Sequence, residues 1–259
     1  MTDLIVTLTQ LSGLGQQMIW AGFLVFLRVG AAMALLPAFG EQSVPQRVKL
    51  ALALAFTAIV TPAVAEDIAP QAGAFALPMV AEVLAGLTLG IGLRIFVHVL
   101  QIAGAIAAQA ASLSQLFGGA GAEPQPAIAN LLTVAGLALA VMAGLHVRVA
   151  QLLILSYELL PAGRLPDAAD LAGWGLFQIA RGFALAFSLA APFVVASLIY
   201  NVALGVINRA MPQLMVAFVG APALTLGGLV LLAVVAPLAL VVWTQALDTF
   251  LAAPFAGAP

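Results

Sequence analysis

QLMVAFVGAPALTLGGLVLLAVVAPLALVVWTQALDTF, residues 213–250, holds a single charged side chain, Asp248. A bilayer core takes about 20 helical residues at roughly 1.5 Å each. This run is nearly twice that length, and Pro222 and Pro237 are its kink points. Similar runs lie ahead of it: Leu171 to Asn208, Pro126 to Leu160, Met79 to Leu116, Val48 to Thr61 ending at Pro62, and Leu4 to Leu36 ending at Pro37. The chain is 64% hydrophobic and 7% charged, with a mean hydropathy of +1.18. A soluble domain carries roughly 25% charged residues, so most of this surface must meet lipid or other protein. In lipid, helices and closed barrels alone satisfy the backbone. The apolar runs are continuous and rich in Ala and Leu, without the alternation of barrel strands. The expected fold is therefore all-α: a polytopic integral membrane protein with about six long helices arranged as hairpins.

The segments between the runs are short. Gly40 to Arg47 is polar, Ala65 to Pro78 reads as an aqueous loop, and Pro161 to Asp170 is the most polar part of the second half. Phe117 to Gln125 is dense in Gly and Pro, which break helices. It is either a hairpin turn at the membrane surface or a re-entrant plug, since irregular backbone at membrane depth survives where protein covers it or water fills it. No basic residue precedes Arg28, so the first apolar run is expected to be retained as a helix and not cleaved as a signal.

Charge narrows the function classes. A net charge of -2 gives no basic field for nucleic acid. The absence of Cys removes thiol chemistry and disulfides. His98 and His146 are the two histidines, too few ligands for a metal site. No G-x-S-x-G, Walker loop or H-E-x-x-H occurs, so no enzyme class gains support and no cofactor is expected. Asp167 and Asp170 beside Arg164 read as caps of the following helix and not as a catalytic pair. Arg28, Arg94, Arg148 and Arg209 sit inside long apolar runs. Each would cost about 2.5–3.5 kcal/mol at a lipid-facing helix centre, which implies burial against protein, a wet cavity or a place outside the lipid. Arg94 and His98 stand at i and i+4 with Gln101 one turn further. Glu82 lies three turns earlier near the same stripe. The set reads as a buried polar seam between helices, with a proton relay as the sharper alternative. Gly86 and Gly90 form a G-x-x-x-G step for close helix packing.

Several short motifs then fall into one order. Arg28 is followed by Leu36-Pro37-Ala38-Phe39-Gly40 and by Val44-Pro45-Gln46-Arg47-Val48-Lys49-Leu50. Ser156 precedes Pro161 and Gly163. Asn201-Val202-Ala203-Leu204-Gly205 leads to Arg209-Ala210-Met211-Pro212-Gln213-Leu214, then Gly220 and Pro222. With these motifs the chain resembles the FliR family of flagellar export proteins and its type III secretion counterparts, over most of its length. It departs from the family pattern at Met215, Ala217, Ala221 and Glu123-Pro124.

The resemblance implies a subunit of the flagellar type III export gate in the bacterial inner membrane, at the flagellar basal body. It implies a FliP-like part over residues 1–165 and a FliQ-like helical hairpin with a C-terminal tail over 166–259. The implied partners are FliP-type and FliQ-type subunits, FlhB-type and FlhA-type export proteins, unfolded flagellar substrates and the lipid membrane. It also favours the plug for the glycine-bearing loop, Ser112 to Pro126: Leu116 and Phe117 would seal it, Gly118, Gly119 and Gly121 would let it move, and Glu123 and Pro124 belong to the same loop. The rival is a secondary transporter of a small solute, which predicts two corresponding halves with matching helix breaks. No such repeat is visible.

Overall fold

In a computed structural model, the structure describes residues 2–41, 44–66, 68, 76–111, 127–211 and 216–256; for 2–14, 111 and 216–224 only the backbone is described. Among the described residues seven helices follow one another: α1 Thr2–Leu35, α2 Gln46–Val64, α3 Ala76–Ala111, α4 Ala127–Met142, α5 Leu145–Leu159, α6 Ala168–Ala210 and α7 Val216–Ala252. No strand occurs among the described residues. Five helices are long and apolar enough to cross a membrane, or six spans if α4 and α5 count as one.

The expected runs map onto these helices with two corrections. The run Pro126 to Leu160 is not one helix. It breaks at Gly144, whose φ of 84° lies in the left-handed region that glycine enters without a steric penalty. The second run does not stop at Pro62, because α2 continues to Val64. Proline has no N–H to give the carbonyl four residues earlier, that of Ala58, so the ladder loses one bond and α2 ends two residues later. Helix α7 likewise runs through Pro222 and Pro237 without interruption.

Two compact units emerge. The first comprises residues 1–94, 141–177 and 249–259, and the second residues 95–140 and 178–248. In the first, α1 buries Ala21, Leu24, Val25, Arg28, Val29, Ala32 and Met33. Their three- and four-residue spacing makes one face of a helix. Helix α2 buries Ala53, Phe56, Val60 and Val64 at the same period. The G-x-x-x-G step of α3 seats against α1: a Cβ on Gly86 would collide with the Arg28 carbonyl oxygen, and one on Gly90 would lie 3.0 Å from that of Ala32. Two backbones approach here as closely as small residues permit. Trp174 closes this unit, its Nε1 donating to the Pro254 carbonyl at 2.8 Å.

The second unit gathers the later half of α3, α4 and most of α6 and α7. Trp243 is fully buried, and its Nε1 donates to the Phe96 carbonyl at 2.8 Å. Gly136 leaves room for Leu100 and Trp243. Much of α6 and α7 nevertheless stays uncovered. Val194, Leu198, Val202, Val206, Val230, Val234 and Leu238 are all exposed.

Candidate functional site

The polar chemistry of the first unit converges on Arg28. This guanidinium is 1% exposed, and Glu82 is wholly buried beside it. Arg28 Nε donates to Glu82 Oε2 at 2.7 Å and Nη2 to Oε1 at 3.2 Å. Two of its other three N–H groups reach a second helix and its exit. Nη1 donates to Ser156 Oγ at 3.0 Å, and Nη2 also to the Leu160 carbonyl at 2.8 Å. Glu82 is filled from its other side: Tyr157 Oη donates to Oε2 and the Gly163 backbone N–H to Oε1, each at 3.1 Å. The Arg28 guanidinium carbon stands 3.7 Å above the Tyr157 ring centroid, a cation–π contact. Gly163 has a φ of 70°, so the turn that aims its N–H at Glu82 suits glycine.

A buried ion pair is stable only when its spare lone pairs and protons are also bonded. Here both carboxylate oxygens accept two bonds each. The group is a hydrogen-bonded lock joining α1, α3, α5 and the connector that follows α5. All four bonds of this carboxylate are given to structural contacts. A secondary transporter would need a coupling carboxylate within its helices. Glu82 is one inside α3, but it is committed to structure.

The rest of the N-terminal motif builds the turn between α1 and α2. Pro37 is buried and its carbonyl accepts from Phe39 N–H at 2.8 Å. Ala38 adopts a φ of 65°, uncommon for a residue with a Cβ. Gly40 lies so near the end of α1 that a Cβ would stand 2.7 Å from the Met33 carbonyl. Lys49 Nζ donates back to the Gly40 carbonyl at 2.9 Å. Pro45 sits at the N-cap of α2, and its carbonyl accepts from Val48 and Lys49. Arg47 is exposed in the first turn.

The seam expected of Arg94, His98 and Gln101 divides. Arg94 Nη1 pairs with Glu41 Oε1 at 2.7 Å, both side chains about a quarter exposed. His98 is exposed, and its Nδ1 lies 2.9 Å from Gln101 Oε1. Glu82, aligned by spacing with that stripe, turns instead to α1. Helical period places residues on a shared face but does not say which neighbour each meets. Asp167 does cap α6: its Oδ1 accepts from the N–H groups of Ala169 and Asp170 at 2.8 and 3.2 Å. Arg209 is exposed in the last turn of α6. Gly220 and Pro222 lie within α7. Pro212, Gln213 and the expected plug, Leu116, Phe117, Gly118, Gly119, Gly121, Glu123 and Pro124, lie outside the described residues. Sequence reading missed Tyr157 and the Gly163 N–H as members of the lock. It also passed over Arg181, a further arginine inside an apolar run.

In the second unit an apolar cleft of about 360 Å³ lies between α6, α7 and the end of α3. Ser197 and Tyr200 are the polar side chains among its lining, with Phe193, Gly227, Gly228 and Val234. Ser197 Oγ already accepts from Asn201 Nδ2 at 3.2 Å. Among the described residues no cluster of three or more His, Asp or Glu gathers to hold a metal.

These features define an all-helical, multi-pass membrane protein with a buried, hydrogen-bonded polar lock in one unit and long, uncovered apolar helices in the other. Residues 19–250 match the family described as bacterial export proteins, family 1. The chain is 33% identical to the flagellar biosynthetic protein FliR of Caulobacter vibrioides over 88% of its own length and 92% of the relative's. It is 30% identical to FliR of Escherichia coli K12, with 83% and 84% covered, and 28% identical to FliR of Pectobacterium carotovorum over the same shares. The chain belongs to the FliR family of bacterial export proteins.

Proposed function

We propose that this chain is a subunit of the flagellar type III protein export gate. It forms part of the wall and the plug of the channel through which unfolded flagellar proteins cross the inner membrane. Membership of the FliR family over nearly the whole chain carries the reading. The shape of the helices supports it. At roughly 1.5 Å per residue, the 43 residues of α6 extend about 65 Å and the 37 of α7 about 56 Å. Both exceed a hydrocarbon core of ~30 Å. Subunits packed around them would cover what lipid cannot.

On this reading residues 1–165 are the FliP-like part and 166–259 the FliQ-like hairpin and tail, packed with FliP-type and FliQ-type subunits. FlhB-type and FlhA-type proteins would be the further neighbours. The chain performs no bond chemistry; the drive comes from other components. The loop at 112–126 is the plug, sealed by Leu116 and Phe117 and hinged at Gly118, Gly119 and Gly121. Deleting Gly118 to Gly121 should make the assembled gate leak small ions, read as conductance across planar bilayers. A closed-state conductance equal to that of the intact gate would remove the plug assignment.

A further inference from the structure

Within residues 178–248, α6 turns Gln178, Gly182, Ala186 and Leu189 inward. Ala180, Arg181, Phe183, Ala184, Phe187 and Ser188 are exposed. Arg181 makes no hydrogen bond or ion pair with any described residue. It stands in a helix whose mean hydropathy over its apolar window is 2.1. A guanidinium facing hydrocarbon is expensive, and such residues usually pair or face a protein interior. Beside it Ala180, Ala184 and Ser188 repeat every fourth residue and form one ridge of small side chains. The Ser188 hydroxyl is turned back to the Ala184 carbonyl at 2.8 Å. The ridge is thus small and satisfied, and another helix backbone can approach it closely. Arg181 is left as the polar group on this face that still wants a counterpart.

We propose that this face of α6 docks an apolar helix of a different polypeptide, one carrying a carboxylate opposite Arg181. The proposal rests on the gate-subunit reading and deepens it by naming a contact. A second copy of this chain is a poor occupant. Of the carboxylates within its helices, Glu82 is buried against Arg28 and Asp248 of α7 has a partner inside the chain. Glu158 and Asp170 stand in the last turn of α5 and the first turn of α6, beside the polar connector at 160–167 and not within an apolar stretch. A lipid phosphate would also neutralise a guanidinium, but it has no use for a close-approach ridge.

The test uses the full chain, tagged and expressed in its native cell, with a photo-cross-linking residue at Ala184. Mild detergent extraction should yield an adduct with another polypeptide. Arg181→Met should reduce that adduct and the co-purifying chains about tenfold or more, while Arg181→Lys keeps most of both. Met removes a charge from an apolar helix and so eases insertion; a loss of partners cannot then be failed insertion. Adducts with lipid alone, or an Arg181→Met chain that co-purifies like wild type, overturn the proposal. If the wild-type chain comes out in a hetero-oligomer while Ala184 labels only lipid, this contact alone falls. If the wild-type chain comes out solitary, the gate reading falls with it.

Discussion

Arg28 and Glu82 are each worth little as charges and much as partners. Two ions leaving water lose several kcal/mol apiece, and their attraction roughly offsets that loss when every donor is engaged. Removing one ion leaves the other buried and bare. Arg28→Met or Glu82→Leu alone should therefore destabilise the chain by about 3–5 kcal/mol, and the double substitution should recover a large share. Thermal melting of the detergent-solubilised assembly reads this directly; additive losses would mean that the two residues act separately. Arg28 was legible as a residue needing shelter, because a guanidinium in an apolar run has few acceptable places. Its partner was not legible. Glu82 lies nearly two turns inside α3, and spacing aligned it with Arg94 and His98 on its own helix. The choice between the two pairings is made by tertiary packing, which period cannot see.

At the scale of elements, the close approach of α1 and α3 sets the geometry that lets the lock form. Gly86 touches the carbonyl of Arg28 itself. Gly86→Val should push the helices apart at the very turn that holds the ion pair. The expected result is a loss of several kcal/mol, as overpacking and a stretched buried ion pair combine. The same change at Gly173, which lies within α6 with open space around it, should be nearly neutral or gain a few tenths of a kcal/mol (~0.3), because Val is a slightly better helix former than Gly. Comparable melting of the two variants would show that the G-x-x-x-G step is not a packing seat. Element existence was readable because long apolar runs admit only helices. The break at Gly144 was not, because a lone glycine in an Ala- and Leu-rich run is usually tolerated inside a helix. The turn from Pro37 to Gly40 was visible only as a motif. Its reason, a close backbone approach tied by Lys49, needed coordinates.

At the scale of the molecule, what matters is how little of the later helices the chain covers itself. Only 11% of the apolar window of α7 is buried, at a mean hydropathy of 2.6. An apolar surface of that extent marks an interaction surface or a lipid contact. Expressed without the rest of the export apparatus, the chain should be recovered at a small fraction of its co-expressed level, with the remainder degraded or aggregated. Pulse-chase of the tagged chain with and without its neighbouring genes measures this, and equal half-lives would count against an obligate subunit. That prediction follows from the sequence nearly unaided, since overlong apolar runs are visible in composition and length. The family followed from short motifs in a fixed order. Their physical roles divide between the lock, the first interhelical turn and positions outside the described residues.

The lock also has a history during synthesis. Its two ions lie 54 residues apart, and the Ser156 contact spans 128. At roughly 5–20 residues per second, Arg28 is joined to the chain about 3–10 seconds before Glu82, and longer still before α5. For that interval the nascent chain must hold a lone cation in an apolar helix. The insertion machinery, or water at the membrane edge, has to shelter it until Glu82 is made.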